Sequence, residues 1–359
     1  QRLPPNVMSL FFLVTVASPG CTFVDVKGAS IRLVDWSSGV ERVRYAPAMA
    51  GAHTCLFMAR LARDGAAGWK LTTIGEVDHT ARDWGTVVPE LRAYMGDLCP
   101  GIKVDTSERI AVMRKGGNIR LADYSPGQLP QTVVLGCYWD VTNGVNIDLD
   151  ASVIMLDASL QQLDIVFFKK LTSSDGAIRH GGDEREGDEK GDDEQIFIQL
   201  GIVHPSVAYI GLVINSYSGQ ELDDVKDAGV HLFDGATHRD IFRYEMSNTK
   251  ELDKHTALVL SMLYRAPSSG EWCAQIIAEA AQGKTVHENV DELQNYIRRN
   301  PVQALAPARP PDPPGAGAAM VAKLSAPMAQ AVVVAAPAAQ MVPGSMVQGQ
   351  VVVEALPIA

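Results

Sequence analysis

Nothing in this chain spells a familiar catalytic or cofactor signature. There is no G-x-S-x-G and no G-x-G-x-x-G, and the eight histidines form neither H-x-x-x-H nor H-E-x-x-H. Cysteine is sparse: Cys21, Cys55, Cys99, Cys137 and Cys273 are widely spaced with no C-x-x-C. That excludes a disulfide framework or a zinc finger and leaves reduced, packed thiols, the pattern of an intracellular, cytoplasmic protein. Basic residues are in deficit, 31 Lys and Arg against 42 Asp and Glu, for a net charge of −11. Such a balance argues against nucleic-acid backbones and anionic membrane surfaces as partners. No apolar run reaches membrane-spanning length. The stretch 10–16, followed by Ala17-Ser18-Pro19, has the look of a signal h-region. It lacks a basic leader and recurs later in the chain, so it is read as part of a repeat. The chain opens on Gln1 without a methionine and is read as a fragment.

What is abundant is acid, and it is concentrated. Residues 182–194 carry eight carboxylates against Arg185 and Lys190, a net −6 out of the chain's −11. Neighbouring carboxylates about 5 Å apart repel by roughly 0.8 kcal/mol per pair in water and by about 3 kcal/mol at an effective dielectric near 20. Such a segment stays extended in solvent or folds around a cation. Upstream, Asp148 and Asp150 alternate with Ile147 and Leu149. On a strand the two acids share one face while the aliphatic pair turns to the core. Two carboxylates side by side on rigid backbone are half of a hard-cation site, which calcium completes with six to eight oxygens. Gly182, Gly187 and Gly191 permit the tight turns such a wrapping needs. The segment is not an EF-hand, because Arg185 stands where the third ligand belongs.

The chain also repeats half of itself. Asp25-Val26-Lys27 through Leu33-Val34-Asp35 aligns with Asp224-Val225-Lys226 through Leu232-Phe233-Asp234. Arg44-Tyr45, His53-Thr54, Trp69, Glu90-Leu91 and Tyr94 then match Arg243-Tyr244, His255-Thr256, Trp272, Glu292-Leu293 and Tyr296. Residues 10–96 therefore read as a second copy of 210–298. Short apolar or alternating runs at 110–113, 131–136, 153–156, 163–168, 195–200 and 209–214 are bounded by Gly, Asn, Asp and Pro, which predicts an all-β sandwich. A helix is expected at 289–298, with Val290, Leu293 and Ile297 on one face. Expected boundaries are a truncated copy at 1–98, a linker at 99–108, a complete domain at 109–299 and a disordered Ala-, Pro- and Val-rich tail at 300–359. Such a tail could also serve as a partner-binding segment. Half a sandwich leaves an open sheet edge and is expected to borrow strands from residues before Gln1, dock on the complete domain or stay poorly ordered.

Four stretches carry a family resemblance: Lys115-Gly116-Gly117-Asn118-Ile119-Arg120-Leu121, Leu135-Gly136-Cys137-Tyr138-Trp139-Asp140, Ile147-Asp148-Leu149-Asp150-Ala151-Ser152, and Ser174-Asp175-Gly176-Ala177-Ile178-Arg179-His180 leading into Gly182-Asp183 and Gly191-Asp192-Asp193-Glu194. In order and spacing they resemble the tellurium-resistance TerD family over roughly residues 110–297, and residues 10–96 resemble the C-terminal half of the same domain. The resemblance implies a β-sandwich of two sheets with a few short helices, calcium binding, and a role in stress response or tellurite resistance without catalysis. It implies Ca²⁺ ligands at Asp148, Asp150, Asp183, Asp192, Asp193 and Glu194, with Asp188 as an extra candidate. It further implies an unidentified protein partner or self-association. Glu184 and Glu186 depart from the family's usual Asn and Thr, and Cys137-Tyr138 interrupts its Gly-Trp-Asp, suggesting a local bulge.

Two other functions remain open on sequence grounds. Residues 278–285 end in Gly283-Lys284-Thr285 and fit a relaxed phosphate-loop pattern, so ATP binding is one alternative. The family resemblance, whose relatives include cyclic-AMP-binding-like proteins, implies a cyclic nucleotide as another ligand without a phosphate loop. The other is a structural interaction module whose acidic segment is inert.

Overall fold

A computed structural model describes residues 3–18, 20–46, 51–64, 68–125, 127–140, 148–182, 191–217, 219–246, 252–302, 305, 312–324, 331–334 and 349–355. It divides into two compact units, residues 1–106 with 312–359, and residues 107–311. Among the described residues all five cysteines are free, and no helix is long and apolar enough to cross a membrane.

The first unit contains β1 (Ser9–Thr15), β2 (Ala29–Asp35), β3 (Glu41–Tyr45), β4 (Cys55–Asp64), β5 (Gly68–Asp78) and α1 (Val88–Ala93). Strand β4 pairs with both β1 and β5, and β2 pairs with β3.

The second unit contains β6 (Ala111–Val112), β7 (Asn118–Arg120), β8 (Thr132–Asp140), β9 (Leu149–Leu156), β10 (Gln162–Val166), β11 (Ile178–His180), β12 (Glu194–Gln199), β13 (Tyr209–Ser216), β14 (Lys226–Asp234), β15 (Asp240–Glu245), β16 (Ala257–Arg265), β17 (Trp272–Ala281) and α2 (Val290–Arg299). Among the described residues these strands form two six-stranded sheets, β10-β9-β13-β16-β17-β7 and β11-β12-β8-β14-β15-β6. Side chains from both sheets, among them Leu135, Ile196, Val230, Leu149, Leu212 and Leu260, fill one shared core. That arrangement is what period-two patterning on two facing sheets produces. The outer face of the first sheet is covered as well: Val213, Val259 and Ile277 pack with Leu293 and Ile297 of α2. Double coverage explains why β9 is buried along its whole length.

The bulge expected near Cys137 falls on the neighbouring strand. Pairing of β8 with β12 is regular through Cys137. The register shift lies between Lys226 and Gly229 of β14, which pair with Asp140 and Tyr138. The extra residue is therefore on β14.

The repeat extends to the backbone. Register shifts occur at Phe12/Leu13 and at Leu212/Val213, and again at Phe57/Ala59 and at Val259/Ser261. The Arg63 N–H donates to Met8 O and its Nε to Val7 O, while Arg265 makes the same bonds to Ala208 and Val207. Each guanidinium lies over its hairpin tryptophan, Arg63 on Trp69 at 4.7 Å and Arg265 on Trp272 at 4.3 Å. Phe23 N–H donates to His53 O as Leu222 N–H does to His255 O. The two histidines thus mark a repeated turn.

Beyond residue 311 the described segments are α3 (Ala316–Leu324), β18 (Ala331–Val334) and β19 (Gly349–Ala355). Strand β18 pairs with β5 around Leu71, and β19 pairs with β2. They stand beside the strands that correspond to β17 and β14, whose neighbours in the second unit are β7 and β8. An open sheet edge offers a row of backbone donors and acceptors that any extended segment can satisfy.

Candidate metal centre

Strand β10 pairs with β9 only as far as Val166 opposite Val153. On that side Ala151 is served by side chains from the facing sheet. Its N–H donates to Glu194 Oε2 at 2.6 Å, and its carbonyl accepts from His180 Nε2 at 2.9 Å. The Gly182 N–H donates to His180 Nδ1 at 3.2 Å, which fixes the tautomer with hydrogen on Nε2. A carboxylate and an imidazole thus replace the missing rung of the ladder.

Asp150 flanks this junction. Leu149 points into the shared core, as expected, as does Ala151, and Asp150 lies on the opposite face; Ile147 lies outside the described residues. That face is not solvent. Asp150 is only 5% exposed and Glu194 2%, and Asn215, opposite Asp150 on β13, is fully buried. Asp148 is half-buried just ahead of β9, its carbonyl accepting the Tyr217 N–H at 3.0 Å. Asp193 is half-buried, and its Oδ2 accepts the Trp139 N–H at 2.8 Å while its own N–H donates to Cys137 O. Burial, reinforced by Glu194, Asp192 and Asp193, pushes the Cys137 thiol far up, so it stays protonated.

Asp192 points elsewhere. Its Oδ1 lies 2.7 Å from His231 Nε2, and its Oδ2 accepts from Gln195 Nε2 at 2.9 Å. His231 Nδ1 lies 2.6 Å from Asp240 Oδ1, and Asp240 is in turn paired with Arg243. Burial alone would lower the His231 pKa, but its two carboxylate partners outweigh it and raise the ring to about 9. Burial alone would raise Asp192, and the bonds from His231 and Gln195 hold it below the usual carboxylate range.

The sequence-derived ligands therefore separate. Asp193 and Glu194 bond the Trp139 and Ala151 amides, no three of Asp148, Asp150, Asp193 and Glu194 bring their oxygens within 4.8 Å of one another, and Asp192 joins a network on the outside of the second sheet. Asp183 and Asp188 lie outside the described residues. Among the described residues the acids whose oxygens lie within 4.8 Å of one another are Glu221, Asp223 and Asp253, which sequence reasoning missed. Three residues from two separate loops leave no spacing signal to find. An acidic cluster of this kind is ordinary at a protein surface.

Residues 283–285 make no phosphate cradle. The Lys284 and Thr285 N–H groups both donate to Glu288 Oε1, at 3.0 and 3.2 Å, and the Gly283 N–H donates to Thr256 Oγ1. Thr285 and Glu288 form a capping box ahead of α2. The amides a nucleotide would need are already engaged within the chain.

A sandwich of two six-stranded sheets defines the class. The chain belongs to the TerD domain family, whose model matches residues 110–290. Tellurium resistance protein TerZ of Serratia marcescens is 32% identical over 154 residues, covering 43% of this chain and 77% of that protein. Tellurium resistance protein TerD of the same organism is 32% identical over 180 residues, covering 48% and 91%. General stress protein 16U of Bacillus subtilis is 30% identical over 181 residues, covering 48% and 91%.

Proposed function

We propose that the second unit is a calcium-binding, non-catalytic stress-response module of the tellurium-resistance type, working in the cytoplasm. Asp148, Asp150, Asp193 and Glu194 would hold the ion, with Asp183 and Asp188 contributed by the acidic segment. The donor chemistry fits: all are carboxylates, the oxygen ligands a hard cation prefers. The observation that carries the reading is Glu194, almost wholly buried and bonded to the amide next to a second buried acid, Asp150. His180 Nε2 also lies 3.6 Å from Glu194 Oε2, and a divalent cation would add to that imidazole in offsetting the cost of burying two carboxylates. The ion would offset two of the segment's six net negative charges and hold it against β9, presenting a defined surface to a protein partner or a second copy of the chain. The names of the relatives, tellurium resistance and general stress proteins, support the cellular role.

The test is calorimetric titration of the full chain with CaCl₂ after chelator treatment. Saturable heat is expected for the native chain, with loss of that heat in Asp150→Asn. A native chain that takes up no calcium would defeat the reading.

A further inference from the structure

Gly136, Gln195 and His231 form one row across the second sheet, Gln195 and His231 each paired with Gly136 on opposite sides. Burial alternates along β12, and Val230 and Leu232 on either side of His231 point into the shared core, so Gln195 and His231 lie on the face away from it. The Asp192 carboxylate rests over the gap that Gly136 leaves between them. A Cβ at position 136 would stand 2.2 Å from Asp192 Oδ2 and 2.6 Å from His231 Nε2. Glycine is thus required there to admit a carboxylate. Both Asp192 oxygens are engaged, one by His231 and one by Gln195. His231 is clamped from behind by Asp240, and Asp240 by Arg243.

We infer that Asp192 is a positioning residue rather than a calcium ligand: it pins the end of the acidic segment to the outer face of the sheet through His231, and so sets Asp193 on the Trp139 amide and aims Glu194 at the β9 edge. This differs from the ligand role that the family resemblance implies for Asp192. The geometry divides three consecutive acids among three tasks. Asp192 grips the outer face, Asp193 caps the Trp139 amide at the strand end, and Glu194 reaches inward to Ala151. For its calcium arm the inference rests on the reading above; its anchoring arm stands without calcium.

Three variants of the full chain test it: Asp192→Asn, His231→Gln and Gly136→Ala. The last displaces the carboxylate sterically and removes no charged group. In calcium-free protein, hydrogen exchange at the Asp193 and Trp139 amides should quicken by about tenfold in each, since each breaks a charge-assisted bond. Exchange in β16 and β17 should stay as in the native chain and report an intact fold. Unchanged exchange at Asp193 and Trp139 in all three variants would overturn the anchor, whether or not the protein takes up calcium.

With calcium, each variant should bind about tenfold more weakly, and the Asp192→Asn/His231→Gln double variant no more weakly than either single one. The imidazole resonances of His231 should keep their positions when calcium is added. A ligand would behave differently. Asp192→Asn would weaken binding while His231→Gln, which frees the carboxylate, would leave it equal or tighter, and calcium would shift the His231 signals. That pattern overturns the inference while sustaining the calcium reading, and a native chain with no calcium uptake sinks the calcium reading while the exchange arm still decides the anchor.

Discussion

Glu194 and Ala151 sit on opposite sheets of the second unit, and the Ala151 N–H donates to Glu194 Oε2 at 2.6 Å. Strand β10 stops short of this rung, so the carboxylate stands in for the absent backbone acceptor. Replacing Glu194 by Ala leaves a buried N–H without its acceptor, at a cost of about 2 kcal/mol. In a unit of this size the melting temperature should fall by roughly 5 °C. Glu194→Gln, which keeps a carbonyl acceptor, should recover most of that loss in the same thermal scan while still impairing calcium uptake.

Calcium should raise the melting temperature of the native chain, and EGTA should reverse the effect. A ligand present at about one hundred times its dissociation constant stabilises by roughly 2.7 kcal/mol if it binds only the folded state. Asp150→Asn should melt at the same temperature with and without calcium in differential scanning calorimetry. An unaltered calcium shift in that variant would remove Asp150 from the ligand set.

Stability should fall on alkalinisation because of His231. The ring faces Asp192, Asp240 and, through Asp240, Arg243, and packs edge-on to the Tyr138 ring. Its pKa is raised from 6.5 to about 9 in the folded chain. A raised folded value means the contribution is complete below 6.5 and is lost as pH rises through about 9. The loss amounts to at most about 3 kcal/mol. Urea unfolding of the native chain and of His231→Gln should differ most at pH 6 and converge near pH 10, where the imidazole is neutral in both the folded and the unfolded chain.

The phosphate-loop alternative predicts a nucleotide at Lys284, and the capping box predicts none. Lys284→Ala should leave both stability and the response to a fluorescent ATP analogue unchanged. Glu288→Ala should lower stability by about 1 kcal/mol, because the amides of Lys284 and Thr285 lose their acceptor.

Much of the framework was legible beforehand. The expected strands at 195–200 and 209–214 correspond to Glu194–Gln199 and Tyr209–Ser216, and the expected helix at 289–298 to Val290–Arg299. Their apolar patterns are long enough to impose a period. Strands β7 and β11, three residues each, escaped because so few residues carry no periodicity. The repeat was readable from residues such as Trp69 and Trp272, whose stacked arginines recur with them. Asp150 was placed on the correct face of its strand. Its burial was not foreseeable, because α2 and its approach, which cover that sheet, come more than one hundred residues later.

The amino-acid order by itself determined the two-sheet pattern, the half repeat and the crowding of acid ahead of β12. Only the tertiary structure decided where each acid points. Alternation gives a side chain one of two faces, but what waits on that face is set by distant strands: a glycine gap beside His231 for Asp192, and an unfilled rung at Ala151 for Glu194. Those are long-range matters of register and of where a neighbouring strand ends, and no local spacing encodes them.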